Sequence, residues 1–185
     1  PSKQPPGQGA PYVSEGKLLL FRRKDIKMKR LPKYTPAEVR NDPYGFTYKE
    51  MSEVIGENEA KALYEELYKQ LPRKKNLSML VKNICKSSDT EKYVYELKDN
   101  KYIETVFIKR RDGGTVCVST QVGCPVGCIF CESGRNGFVR NLTSSEIVQQ
   151  IILLRRKVNR IVFMGMGEPL FNYDNLIKAI HMIAT

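Results

Sequence analysis

The sequence predicts an α/β protein in which a small α+β accessory module is followed by two strand-helix units of a parallel sheet. Three observations carry that prediction. Apolar residues recur at helical spacing through residues 47–86. They alternate at period two through residues 93–108. After residue 115 the pattern runs strand, helix, strand, helix.

Residues 1–44 contain ten basic and four acidic side chains, Arg22, Arg23, Lys24, Lys29 and Arg30 among them, and show no sustained periodicity. They read as a flexible basic arm, the plain alternative being a solvated tail with no specific task. The accessory module is expected over residues 45–114. In it, Ala60, Leu63, Tyr64, Leu67 and Tyr68 form one apolar stripe opposite Lys61, Glu65, Glu66 and Lys69. After a break at residues 71–75, the spacing of Leu77, Leu80, Val81 and Ile84 predicts a second helix. Tyr93, Tyr95 and Leu97 then alternate with mostly charged neighbours, Asp99 and Asn100 turn the chain, and residues 102–108 complete a β-hairpin. A turn at Asp112, Gly113 and Gly114 leads into a strand over residues 115–119.

The third segment, residues 115–185, carries the parallel units. Thr143 or Ser144 caps a helix with Glu146 in its first turn and Ile147, Ile151 and Leu154 as its buried stripe. Residues 160–164 predict a buried strand ending at Gly165, Met166, Gly167, Glu168 and Pro169, and residues 172–184 predict a helix. The sequence starts at Pro1 and ends inside that helical pattern without a stop signal, so an excerpt of a longer protein is expected.

A formal charge of +11 attracts polyanions and makes nucleic acid the leading partner class, although loose tails produce the same excess. No apolar run reaches the roughly 18 residues of a membrane span, so a soluble protein is expected. Five cysteines is an odd number, and three crowd into eight residues, which suits metal ligation in a reducing compartment better than a disulfide framework.

Cys124, Cys128 and Cys131 are the strongest signal. At these spacings three soft thiolates can converge from one loop onto an iron-sulfur cube, leaving the fourth iron open to a small molecule. Gly123, Pro125 and Gly127 interleave them and suit a wrapping loop. Three alternatives stay open. A structural zinc site needs a fourth ligand, and the single histidine, His181, is distant in sequence. Dithiol exchange leaves one cysteine surplus, and chance clustering of core cysteines is the blandest reading.

This signature, with Phe130 before the last cysteine, resembles that of the radical S-adenosylmethionine (SAM) superfamily. Residues 117–124, 137–142 and 163–170 resemble the dual-specificity RNA methyltransferases, the RlmN/Cfr family, and residues 87–106 are similar to the same family. The resemblance covers about residues 56 to 185 and points to the family's amino-terminal portion. It implies that the two units open a partial (β/α) radical SAM barrel, with a 4Fe-4S cluster on Cys124, Cys128 and Cys131 and SAM as second cofactor. SAM is cleaved reductively in that family. Gly165, Gly167 and Glu168 would bind it, Gly167 by close backbone approach and Glu168 by accepting from its ammonium group. An ordinary strand-to-helix connection is the alternative for such a turn.

The implied reaction is methylation of adenine in 23S ribosomal RNA, transfer RNA or both. Gly167, Glu168 and Pro169 resemble the family's C2 methylases more than its C8 branch. The family methylates a cysteine near its carboxyl terminus, joins that methyl to the base and then releases the RNA. Cys117 matches the cysteine that resolves the adduct through a disulfide, and Glu104 matches the proton acceptor. Their bland alternatives are a small core residue and a solvent-facing strand residue. Lys74, Lys75, Arg110 and Arg111 are expected phosphate contacts. The target base would leave its stack to be reached. The resemblance further implies a cytoplasmic monomer served by an electron donor such as flavodoxin or ferredoxin.

Two departures stand out. The methyl-carrying cysteine has no counterpart, so these residues alone are expected not to complete catalysis, and Glu132 replaces a residue that is usually small. Cys85 is expected to be structural and His181 to sit on a helix surface. The rival readings are a radical SAM enzyme with a non-RNA substrate and a non-catalytic RNA-binding protein carrying a cluster or zinc.

Overall fold

The computed structural model describes residues 34–68, 77–111 and 113–184. Most of the basic arm, the break with Lys74 and Lys75, and Asp112 of the expected turn lie outside the described residues. Helix α1 (Pro36–Asn41) and helix α2 (Tyr48–Ile55) each start at a reciprocal cap, Thr35 with Glu38 and Thr47 with Glu50. Gly56, at φ 83°, ends α2, and α3 (Glu57–Tyr68) follows. Val39, Tyr44, Phe46, Met51, Ala60, Leu67 and Leu77 form their common core.

The arm expected up to residue 44 is therefore folded at its end. Composition averaged over 44 residues concealed a capping box and two apolar anchors, Val39 and Tyr44, both fully buried. A second correction concerns Leu77, Leu80, Val81 and Ile84. Instead of a helix, this segment forms strand β1 (Met79–Lys86), antiparallel to β2 (Thr90–Leu97), with a register slip between Val81 and Asn83. Its spacing satisfied a helix equally well, but the ladder offered by β2 outweighs a weak local preference.

Strands β2 and β3 (Tyr102–Arg110) make the expected hairpin, and β4 (Gly113–Cys117) pairs antiparallel with β3. A small second sheet follows, β5 (Gln121–Gly123) with β6 (Phe138–Asn141). Helix α4 (Ser144–Leu154), capped by Thr143 and Glu146, crosses to β7 (Arg160–Val162), which lies parallel to β4, and α5 (Tyr173–Ala184) follows. The main sheet runs β1-β2-β3-β4-β7, so the expected boundary at residue 114 falls inside β4 and the hairpin and the parallel unit share one sheet.

One sheet face buries Tyr93, Tyr95, Ile103, Phe107 and Val116 against Ile147, Val148 and Leu154 of α4 and Ala179 and Met182 of α5. The other face presents Lys92, Val94, Glu104, Val106, Thr115 and Cys117, all half-buried. Residues 160–164 were expected to be buried throughout. Ile161 and Val162 are half-buried and Met164 is exposed, because β7 has a sheet neighbour on one side only among the described residues. No helix among the described residues is long and apolar enough to cross a membrane.

Candidate active site

The parallel unit brings two sequence-distant segments together at the carboxyl ends of β4 and β7. Val118 N donates to Val162 O at 2.8 Å, and Gly165 N donates back to Val118 O at 3.1 Å. Thr120 N and Gln121 N both donate to Met166 O, at 2.9 and 3.2 Å. The stretch leading to Cys124 is thus laced to the turn holding Gly165, Gly167 and Glu168. Carboxyl ends of parallel strands are where α/β sheets bind ligands.

Glycine is required in this turn for close approach. A Cβ on Gly165 would lie 2.8 Å from Ser119 N, and one on Gly167, at φ 97°, would lie 2.5 Å from Gln121 Cβ. The turn is held by Gln121, whose Oε1 accepts from Glu168 N at 2.9 Å while its Nε2 donates to Asn141 Oδ1 at 2.8 Å. Glu168 caps the short 3-10 turn Pro169–Asn172 by accepting from Leu170 N at 3.1 Å.

Glu104 and Cys117 occupy the open face of neighbouring strands, Cys117 standing opposite Val106. Glu104 Oε1 accepts from Lys92 Nζ at 2.9 Å. Burial pushes the Cys117 thiol above its ordinary pKa, against a smaller downward pull from the Met164 backbone N–H. Both residues flank the same end of the sheet as the glycine turn.

The cysteine loop differs. Cys124 and Cys131 are half-buried, Cys128 is exposed, and Ile129 and Phe130 stand out into solvent. Cys131 N donates to Cys128 O at 3.0 Å, and a Cβ built on Gly127, at φ 67°, would meet open space. Among the described residues no three His, Cys, Asp or Glu side chains stand close enough to hold a metal ion. The loop offers three thiols within eight residues without drawing them to one point. As a donor set they fit an iron-sulfur cluster: all are free, soft and carried on permissive backbone. Glu132 pairs with Arg135 at 3.1 Å on the surface. Cys85, expected to be structural, is exposed on β1. His181 is half-buried on α5, and Arg110 and Arg111 are exposed.

Sequence reasoning passed over the residues that brace this end of the sheet. Gln150, fully buried on α4, accepts from Thr105 Oγ1 at 2.7 Å and from Ser119 N at 2.9 Å, and donates to Ser119 O at 2.9 Å. Asn172 Nδ2 donates to Thr120 O and to Leu142 O, both at 2.7 Å. Arg140 binds both oxygens of Glu146 at 2.8 Å and Asp99 at 2.7 Å, tying β6 to α4 and to the hairpin turn. One signal was available: Gln149 and Gln150 lie within the apolar run of α4, and buried amides require partners.

Residues 118–185 match the family model described as Radical SAM superfamily. A probable dual-specificity RNA methyltransferase RlmN of Thermotoga sp. (strain RQ2) is 50% identical over 111 residues, covering 58% of this chain and 32% of the relative. The dual-specificity RNA methyltransferase RlmN of Sulfurimonas denitrificans is 39% identical, covering 89% of this chain and 51% of the relative. The crystal structure of a radical SAM methyltransferase from Sphaerobacter thermophilus superimposes with a TM-score of 0.70 at 30% identity, covering 78% of this chain and 52% of that one. The chain thus spans about half, or less, of the length of these proteins.

Proposed function

This chain is related to the radical SAM dual-specificity RNA methyltransferases, the RlmN/Cfr family, and on that premise we propose that it serves SAM-dependent methylation of adenine, at C2, in ribosomal RNA, transfer RNA or both. The observation that supports the reading is the lacing of the segment before Cys124 to the Gly165–Glu168 turn, which brings the cysteine segment and the glycine turn to one sheet end.

Cys124, Cys128 and Cys131 are the residues that would hold a 4Fe-4S cluster, and the turn would hold SAM, with Gly167 admitting its methionine end and Glu168 receiving the ammonium group. Together these cofactors supply radical chemistry at a carbon too poorly nucleophilic for direct methyl transfer. The chain's own contribution is placement. Glu104 stands on the open face to accept a proton, oriented by Lys92. Cys117 stands near it on β4; burial favours its neutral thiol, so it would first give up its proton, and its sulfur would then attack the sulfur of the family's methyl-carrying cysteine, breaking that sulfur's bond to the base-bound carbon and forming the disulfide that frees the RNA. Exposed Arg110 and Arg111 extend from the same hairpin as phosphate contacts. The net charge of +11 supports an RNA partner. An electron donor such as flavodoxin or ferredoxin, a monomeric state and a cytoplasmic location complete the proposal.

The test is anaerobic reconstitution with iron and sulfide, followed by electron paramagnetic resonance of the reduced protein with and without SAM. A 4Fe-4S signal that changes on adding SAM is expected. Uptake of zinc instead, or a cluster indifferent to SAM, would sink the methyltransferase reading.

A further inference from the structure

Ser119 lies between the strand carrying Cys117 and the stretch leading to Cys124, and it is fully buried. Its backbone is clamped by Gln150, whose amide accepts from Ser119 N and donates to Ser119 O, each at 2.9 Å. The hydroxyl is thereby left for other partners. It donates to Glu104 O at 2.5 Å and accepts from Met166 N at 2.9 Å. A hydroxyl has one donor and two acceptor positions, so both bonds exist together. Met166 sits between Gly165 and Gly167, and a Cβ on Gly165 would come within 2.8 Å of Ser119 Oγ. Glycine at 165 is what lets the turn approach this hydroxyl.

We propose that Ser119 is a positioning residue for SAM: its hydroxyl fixes the Met166 N–H and so locks the Gly165–Glu168 turn to β3, the strand that carries Glu104. The inference rests on the reading of that turn as the SAM site. The physical motive is tolerance. SAM and the proton acceptor are held by different elements, and sub-ångström misplacement between such groups is costly. A buried hydroxyl bonded to both elements, with its own backbone clamped from behind, removes that freedom.

Thr105 provides the control. It is fully buried and its hydroxyl donates to the same Gln150 Oε1 at 2.7 Å, yet none of its side-chain hydrogen bonds reaches the turn. In the reconstituted protein, Ser119→Ala and Thr105→Val are each compared with wild type by thermal unfolding, by equilibrium dialysis with SAM, and by the SAM-induced change in the reduced cluster's paramagnetic resonance signal. Both variants are expected to melt somewhat earlier. Ser119→Ala should weaken SAM binding by about tenfold, the worth of one well-placed hydrogen bond, and blunt the spectral change, whereas Thr105→Val should stay within about twofold. Ser119→Ala protein that binds SAM as wild type does overturns the inference alone. Equal weakening in both variants also overturns it, by assigning the effect to a general loosening of the Gln150 network. A wild-type protein that forms its cluster but takes no SAM overturns the reading of the turn and the inference together.

Discussion

Residues 118–123 and residues 125–130 are neighbours in sequence and opposites in structure. The first stretch is buried throughout, and its polar groups bond to α4, to β3 and to the glycine turn. The second is exposed throughout, and among the described residues Ile129 and Phe130 stand almost wholly in solvent. The chain therefore builds the turn's support from internal hydrogen bonds, whereas the cysteine loop, under the proposed cluster ligation, would take its final shape from what its thiols bind. Metal loops commonly work this way, because ligand binding and local ordering are one event.

The largest break in that comparison comes from Gln150→Leu. It leaves Ser119 N, Ser119 O and Thr105 Oγ1 without their buried partner, and the expected loss is about 3 kcal/mol. Urea unfolding reads it as a lower midpoint with an unchanged slope. A variant as stable as wild type would show that this network does not support the turn.

A smaller effect asks whether buried polar anchors away from the site behave alike. Glu91, 2% exposed, receives Arg156 at 3.0 and 3.1 Å and Tyr93 Oη at 2.6 Å, with Lys109 3.6 Å away, and these partners hold its carboxyl down to about 2. Its folded pKa lies below its unfolded one, so its contribution is complete above the ordinary carboxylate range and is lost as pH falls toward 2. Glu91→Gln should cost about 2 kcal/mol at neutral pH, since Arg156 is partly screened by solvent, and the gap to wild type should close in acid. Unfolding curves at pH 7 and pH 3 check this; a gap that does not narrow contradicts it.

The smallest stability change is expected in the exposed loop. Cys128→Ser should leave unfolding within about 0.5 kcal/mol of wild type, as surface substitutions do, while iron bound after reconstitution falls sharply. A large loss of stability there would erase the contrast between the two stretches.

Much of this was legible in the residues. The reciprocal cap of Thr143 with Glu146 starts α4, period two through Tyr93, Tyr95 and Leu97 is β2, and the crossing from β4 to β7 follows the strand-helix-strand pattern. The spacing of Cys124, Cys128 and Cys131 made the loop conspicuous before any fold was known. Such features rest on contacts within a few residues, where caps, turns and periodicity act.

Long-range pairing governed the rest. Leu77, Leu80, Val81 and Ile84 suit a helix by spacing, yet the chain from Met79 onward becomes β1 because β2 presents a ladder to it. Ser119, Gln121 and Gln150 look like ordinary polar residues until the parallel strands stack their backbones within bonding distance. No local pattern encodes those partners, which lie 31 to 47 residues apart along the chain. A buried amide's value is set by what the fold places around it, and that is a property of packing rather than of sequence neighbours.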